Sequence, residues 1–221
     1  MQTSRLLKCY VDETVNELRQ SEIGSHYIVI YPDIPTIRKL YTSYAKALLE
    51  TNYKELVVIL PFYEDISSVR YALSEVLDDV RKYEREQVLL IVDSYQAYFY
   101  TGIFSLAQML INKAINSGMK GVSILGDMSS FYFNDNDDNG YGSGNRKLLD
   151  YELSLPPTLK NDILKGFCLY HQADFNNRFT QNQKQGLLEH HGKSLLIIKN
   201  WWLQHALLND SVYTILELKL I

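Results

Sequence analysis

The sequence predicts an α/β protein in three layers, with a mainly parallel sheet carrying helices on both faces. Three observations carry this. HYIVIY at 26–31, LVVIL at 56–60, VLLIV at 88–92 and VSIL at 122–125 are compact apolar runs of strand length. Segments with helical spacing separate them. Strands covered on both faces read as continuous apolar runs, whereas strands with one wet face alternate. Phe167–Tyr170 and Ser194–Ile198 add a fifth and a sixth strand.

Thr3–Gln20 reads as an amphipathic helix that docks on the chain's own sheet or, as the alternative, on a second subunit. Leu7, Val11, Val15 and Leu18 fall on one face, and Ser4 is a candidate cap. Pro32 and Pro35 end the first strand, and Pro35 suits the first turn of a helix running to Glu50. Pro61 stops the second strand. Asp65 is placed to cap a helix whose apolar stripe is Ile66, Val69, Leu73, Val76, Leu77 and Val80. The third strand ends at Asp93. Gly102–Ser117 is a helix with Phe104, Ala107, Leu110, Ile111 and Ala114 inward, and Gly118 is its stop. The Val122–Leu125 strand runs straight into Gly126, Asp127, Met128 and two serines. A polar, glycine-rich loop, Asn134–Asn145, precedes a short helix at Lys147–Leu155, which Pro156 and Pro157 end. A helix through about Thr180–His190 links the last two core strands. In the tail, Trp201–Leu207 suggests a helical turn or two, and Leu216, Leu218 and Leu220 suggest an edge strand. With no repeat and no linker, one domain is expected over 1–221. It comprises an amphipathic helix within 1–22, a core over 24–198 and an extension over 199–221.

The 221 residues suit a single α/β domain, and 46% hydrophobic against 22% charged residues supports a sizeable core. A net charge of −4 without a basic run argues against nucleic acid as a direct partner. Cys9 and Cys168 are far apart, no apolar stretch approaches the ~20 residues that span a bilayer, and no leader is visible. A cytoplasmic protein without membrane contact is therefore expected.

The turn after the first strand, YPDIPTIRKL, has no glycine and no Gly-Lys-Ser/Thr, so no backbone cradle for a triphosphate is expected. Asp135, Asp137, Asn139 and Gly140 match the first half of a calcium loop, but Arg146 stands where the closing glutamate belongs. A solvated acidic loop is the simpler reading. His190 and His191 are adjacent, and Cys168 and His171 point to opposite sides of a continuing strand, so neither a metal nor a cofactor is expected. What remains is convergence. Tyr63 and Glu64 follow the second strand, Asp93 and Tyr95 the third, Asp127, Met128 and Ser129 the fourth, and Tyr170 and His171 end the fifth. In a parallel sheet these share the carboxyl rim, where ligands of open α/β sheets gather. The plain alternative is that they cap helices and pair with one another.

The ordered segments HYIVIY, ELVVILPFYED, QVLLIVDSYQAYF, GMKGVSILGDMSSF, LLDYELSL, GFCLYHQADF and LLEHHGKSLLI resemble the MEDS domain, the sensory domain of the dichloromethane-responsive repressor and its relatives. The resemblance spans about Gly24–Ile198. Its most specific pieces are Gly-Asp-Met-Ser at 126–129, Tyr151–Glu152, and C-x-Y at 168–170 followed by Phe175. Asp127 departs from the family's usual glutamate, and Ser130 stands where an aromatic is usual, with Phe131 one place on. The resemblance implies a RecA/KaiC-like core without a Walker A loop and the sensing of a small, hydrocarbon-derived ligand in signalling or transcription control. Family members often carry a DNA-binding or kinase domain, and neither is recognisable here.

The expected function is a non-enzymatic sensory module. It binds a small-molecule ligand through Glu64, Asp93, Asp127, Met128, Tyr151, Glu152, Tyr170 and His171, and signals through a regulatory protein partner or as a homo-oligomer. The rivals are an enzyme or residual nucleotide binder, with Glu64 as base and Asp93 or Asp127 on magnesium, and a structural oligomer subunit.

Overall fold

The computed structural model describes residues 6–51, 55–133, 143–155 and 163–199. The acidic loop's calcium-like residues, Ser4, Pro156, Pro157 and the tail from Trp201 lie outside them.

The chain runs β1 (Leu7–Cys9), α1 (Val11–Gln20), β2 (His26–Tyr31), α2 (Ile34–Leu49), β3 (Glu55–Leu60), α3 (Ile66–Ser74), α4 (Val80–Arg85), β4 (Leu89–Ile91) and α5 (Ile103–Asn116). It continues through β5 (Gly121–Asp127), α6 (Ser143–Ser154), β6 (Leu164–His171), α7 (Gln172–Arg178), α8 (Gln181–His190) and β7 (Lys193–Ile197). A π-helical stretch, Gln96–Gly102, leads into α5, and a 3-10 turn, Met128–Phe131, follows β5. The seven strands form one sheet in the order β1-β7-β2-β6-β5-β3-β4, and all pairs are parallel. The architecture is α/β, with three layers, consistent with the RecA-like expectation.

Side chains of alternate parity separate the two faces. Val29, Tyr31, Val57, Ile59, Leu125, Phe167 and Leu169 pack with α1, α2, α3 and α4 on one face. Ile28, Ile30, Cys168, Tyr170 and Leu196 face the 3-10 turn and α6–α8, and Val58, Val122 and Ile124 face α5.

Local signals explain several ends. The Asp33 carboxylate accepts from the Thr36 amide at 2.9 Å and starts α2, with Pro35 in its first turn. Asp65 accepts from the Ser68 amide at 2.7 Å and starts α3. Gly118 ends α5 at φ +67°, a backbone that side chains resist.

Several expectations need correcting. The N-terminal amphipathic helix does not begin near Thr3. Leu7–Cys9 is an edge strand paired with Leu195–Ile197, and the helix starts at Val11. Pairing of this backbone with β7 outweighs the helical spacing of Leu7. The stripe from Ile66 to Val80 spans two helices, because Asp79 caps a new one by accepting from the Lys82 amide at 2.9 Å. Phe104 does not point inward; it is 59% exposed. α7, unforeseen, turns the chain directly after β6.

Candidate functional site

β2, β6 and β5 are neighbours, so their carboxyl ends bring Tyr31, His171 and Asp127 together. The Tyr31 hydroxyl donates across β6 to Asp127 Oδ2 at 2.8 Å, and the Ser129 amide donates to Oδ1 at 2.9 Å. Asp127 is 2% exposed. Burial pushes its carboxyl up to about 6, against the pull of the Ser129 and Tyr31 hydrogen bonds. Burial and the neighbouring Asp127 hold the Tyr31 phenol far above its ordinary range.

The His171 ring packs tilted against Tyr31 and edge-on against Tyr63, with ring centres 5.5 and 5.4 Å away. Its Nδ1 lies 3.2 Å from Asp174 Oδ2, which also accepts from the Tyr63 hydroxyl, while Arg178 Nε donates to Oδ1 at 3.4 Å. Glu64 accepts from Arg38 Nε and from the Tyr41 hydroxyl, each at 2.9 Å. Between these groups lies a cleft lined by Ile37, Tyr41, Phe62, Tyr63, Glu64 and Asp127, with about 10 Å³ of free interior, room for one water. In the segment that follows β5, the hydroxyls of Ser130 and Tyr132 are buried and have no hydrogen-bond partner among the described residues. Buried hydroxyls ordinarily have partners, so these two are conspicuous.

The residues named from the sequence thus divide. Glu64, Asp127 and His171 converge at the rim. Asp93 follows the edge strand β4 and caps the π-helical stretch, accepting from the Gln96 amide at 2.9 Å. Met128 is buried and takes the Tyr98 hydroxyl on its sulfur at 3.3 Å. Tyr151 stacks on Phe131 at 5.2 Å. Glu152 and Tyr170 belong to a different group on the opposite face of the sheet.

That group was not foreseen. Glu152 of α6, His26 of β2, Cys168 of β6 and His191 between α8 and β7 are all buried, and their ligand-type atoms lie within 4.8 Å of one another. The Tyr170 hydroxyl donates to Glu152 Oε1 at 2.6 Å. Glu152 Oε2 lies 3.8 Å from His26 Nε2, 3.4 Å from His191 Nε2 and 3.7 Å from Cys168 Sγ. Burial pushes the Glu152 carboxyl up, but His191, His26 and the Tyr170 bond outweigh it and leave it below its ordinary range. No short spacing signals the cluster, because its members come from four distant segments. The usable sign was a histidine and a cysteine inside strands that are otherwise apolar. Register completes it: His26 pairs with Gly166, two residues before Cys168, so both side chains fall on one face.

No helix among the described residues is long and apolar enough to cross a membrane. No curated protein sequence matches the chain. The model of one family, MEDS: MEthanogen/methylotroph, DcmR Sensory domain, matches residues 25–191, which contain both the rim and the buried cluster. Since the match covers more than half of the chain, the protein belongs to the MEDS family of sensory domains.

Proposed function

We propose that this domain senses a small, hydrocarbon-derived molecule at the carboxyl rim of its sheet and passes the signal to a regulatory protein partner or to a second copy of itself. Membership in a sensory family supports the role. The observation that carries the site is Asp127, a buried carboxyl at a central strand end with its proton affinity raised to about 6. A perturbed acid in a cleft is a functional candidate. Near neutrality it can donate or accept one hydrogen bond. Phe62 and Tyr63 supply apolar wall beside it. That chemistry suits a compact neutral molecule with a single polar group. The cleft is small, so binding requires side chains to give way. Tyr63 is the mobile candidate: it is half-exposed, and its hydroxyl ties the rim to Asp174 of α7.

Native mass spectrometry of protein purified from its own host, with thermal shifts against a panel of small alcohols and haloalkanes, tests this. An added mass or a shift that Asp127→Ala abolishes is the expected result. No adduct and no shift from any panel member overturns it, and a shift with magnesium ATP alone favours a nucleotide site instead.

A further inference from the structure

We propose that His26, Glu152, Cys168 and His191 form a buried, four-coordinate site for a zinc-class divalent ion. The site is independent of the rim and lies on the other face of the sheet.

The ligand atoms have the spacing a tetrahedral ion requires. Zinc binds imidazole, carboxylate and thiolate at about 2.0–2.3 Å, and a tetrahedron with such bonds has ligand-to-ligand edges of about 3.3–3.8 Å. The separations here are 3.4 Å for Cys168 Sγ to His26 Nε2, 3.4 Å for His191 Nε2 to Glu152 Oε2, 3.7 Å for Cys168 Sγ to Glu152 Oε2 and 3.8 Å for His26 Nε2 to Glu152 Oε2. These four of the six edges fall in that window, and all six lie within 4.8 Å. Both imidazole-to-carboxylate separations exceed the span of a charge-assisted hydrogen bond, about 2.7–2.9 Å. Only the Cys168 thiol comes within hydrogen-bonding reach of the others, a weak sulfur contact to His26 and to Glu152 that a metal–thiolate bond would replace.

The lone pairs point the same way. His191 Nδ1 lies 2.7 Å from the Leu187 carbonyl oxygen, which can only accept, so Nδ1 carries the proton. In the neutral ring, Nε2 then turns its lone pair toward the Glu152 carboxylate, and two acceptors face each other in a buried space. His191 Nε2 has no hydrogen-bond partner among the described residues. A proton on Nε2 or a cation between them removes the conflict, and the 3.4 Å gap is longer than a charge-assisted hydrogen bond and leaves space for the cation. A ring nitrogen that donates to a backbone carbonyl is also how metal-bound histidines are oriented. The Tyr170 hydroxyl on Glu152 Oε1 does the same for the carboxylate, leaving Oε2 for the ion.

The charges also balance. A divalent ion with one thiolate, one carboxylate and two neutral imidazoles sums to zero, the least costly outcome in a dry interior. Binding releases the Cys168 thiol proton to solvent as the metal–sulfur bond forms, with no change of oxidation state. Four protein ligands leave no open position, which marks a structural or regulatory site rather than a catalytic one. The ion joins α6 to β2, β6 and the turn before β7.

Cobalt(II) titration of the metal-stripped full chain provides the test, because a cobalt–thiolate bond has its own near-ultraviolet charge-transfer band. One cobalt per chain with that band is expected, displaced by zinc and unchanged in Cys9→Ser. Cys168→Ser abolishes the band. Tyr170→Phe, which only unseats the carboxylate, weakens zinc binding by about 10- to 100-fold. No cobalt uptake by folded protein overturns the site. So does uptake without the thiolate band, or a band that survives in Cys168→Ser. Should Cys168→Ser fail to fold, the wild-type chain decides: chelation must lower its melting temperature, and zinc but not magnesium must restore it.

Discussion

Asp127 is where a single residue's environment makes a measurable claim. Burial lifts its folded pKa to about 6, above the ordinary aspartate value of 3.8. The folded state therefore holds the proton more tightly, and this group's stabilising contribution is full below about pH 4 and is lost as pH rises through about 6. Asp127→Asn removes the titration while keeping an acceptor for Tyr31. Between about pH 4.5 and about pH 7 the wild type should lose about 2 kcal/mol of stability relative to Asp127→Asn. Urea unfolding of both proteins across that range reads it, and parallel pH profiles would refute it. Tyr31→Phe takes away a hydrogen bond that lowers the Asp127 pKa, so the same loss should move to higher pH. The position of this residue was legible in the sequence, since a strand ending in Gly-Asp marks a carboxyl rim in any parallel sheet. Its chemistry was not, because burial and the reach of Tyr31 across β6 depend on strand order. The same limit hid His26, Cys168 and His191, whose relation exists only through register.

Elements show the contrast at the next scale. The strands were legible because burial on both faces writes continuous apolar runs. A helix start was legible at Asp65, which caps α3, but not at Asp33 or Asp79, which cap α2 and α4. The π-helical stretch Gln96–Gly102 left no such mark. It is a departure in backbone winding, and such departures collect at functional sites. This one brings Tyr98 against β5, where its hydroxyl touches Met128, and a Cβ placed on Gly126 would lie 2.3 Å from that hydroxyl oxygen. The next nearest ring atom is 3.5 Å away, an ordinary contact. Gly126→Ala should therefore cost about 1–3 kcal/mol through overpacking. In a Tyr98→Phe background most of that cost should vanish, because only the hydroxyl stands in the way. A double-mutant cycle by chemical denaturation measures the coupling. Additive costs would mean that the β5 backbone itself, rather than Tyr98, rejects the methyl group.

At the scale of the whole molecule, the sheet carries buried polar chemistry on both faces, and its amino end holds a second ionic group. Lys165 Nζ donates to Glu55 Oε1 at 3.0 Å, the Ser123 hydroxyl to Glu55 Oε2 at 2.7 Å, and the Tyr44 hydroxyl to Ser123 at 2.9 Å. This joins β3, β5 and β6, and through Tyr44 fastens α2 to them. Lys165 is 2% and Glu55 5% exposed, so neither charge can turn to water. Removing one partner strands the other, at a cost of about 3–5 kcal/mol, whereas neutralising both costs far less. Lys165→Met should fall in that range, and Glu55→Gln with Lys165→Met should recover most of it, since glutamine still accepts from Ser123. A single-variant cost under about 1 kcal/mol would mean that water reaches Glu55. The pair also checks that the two ends of the sheet act separately. Ser123 and Asp127 sit four residues apart on β5, a span of about 13 Å along a strand. If the ends are independent, the Asp127 titration window should stay fixed in the double variant. If it moves, strain at the amino end reaches the rim through β5, and the sheet itself would carry the signal.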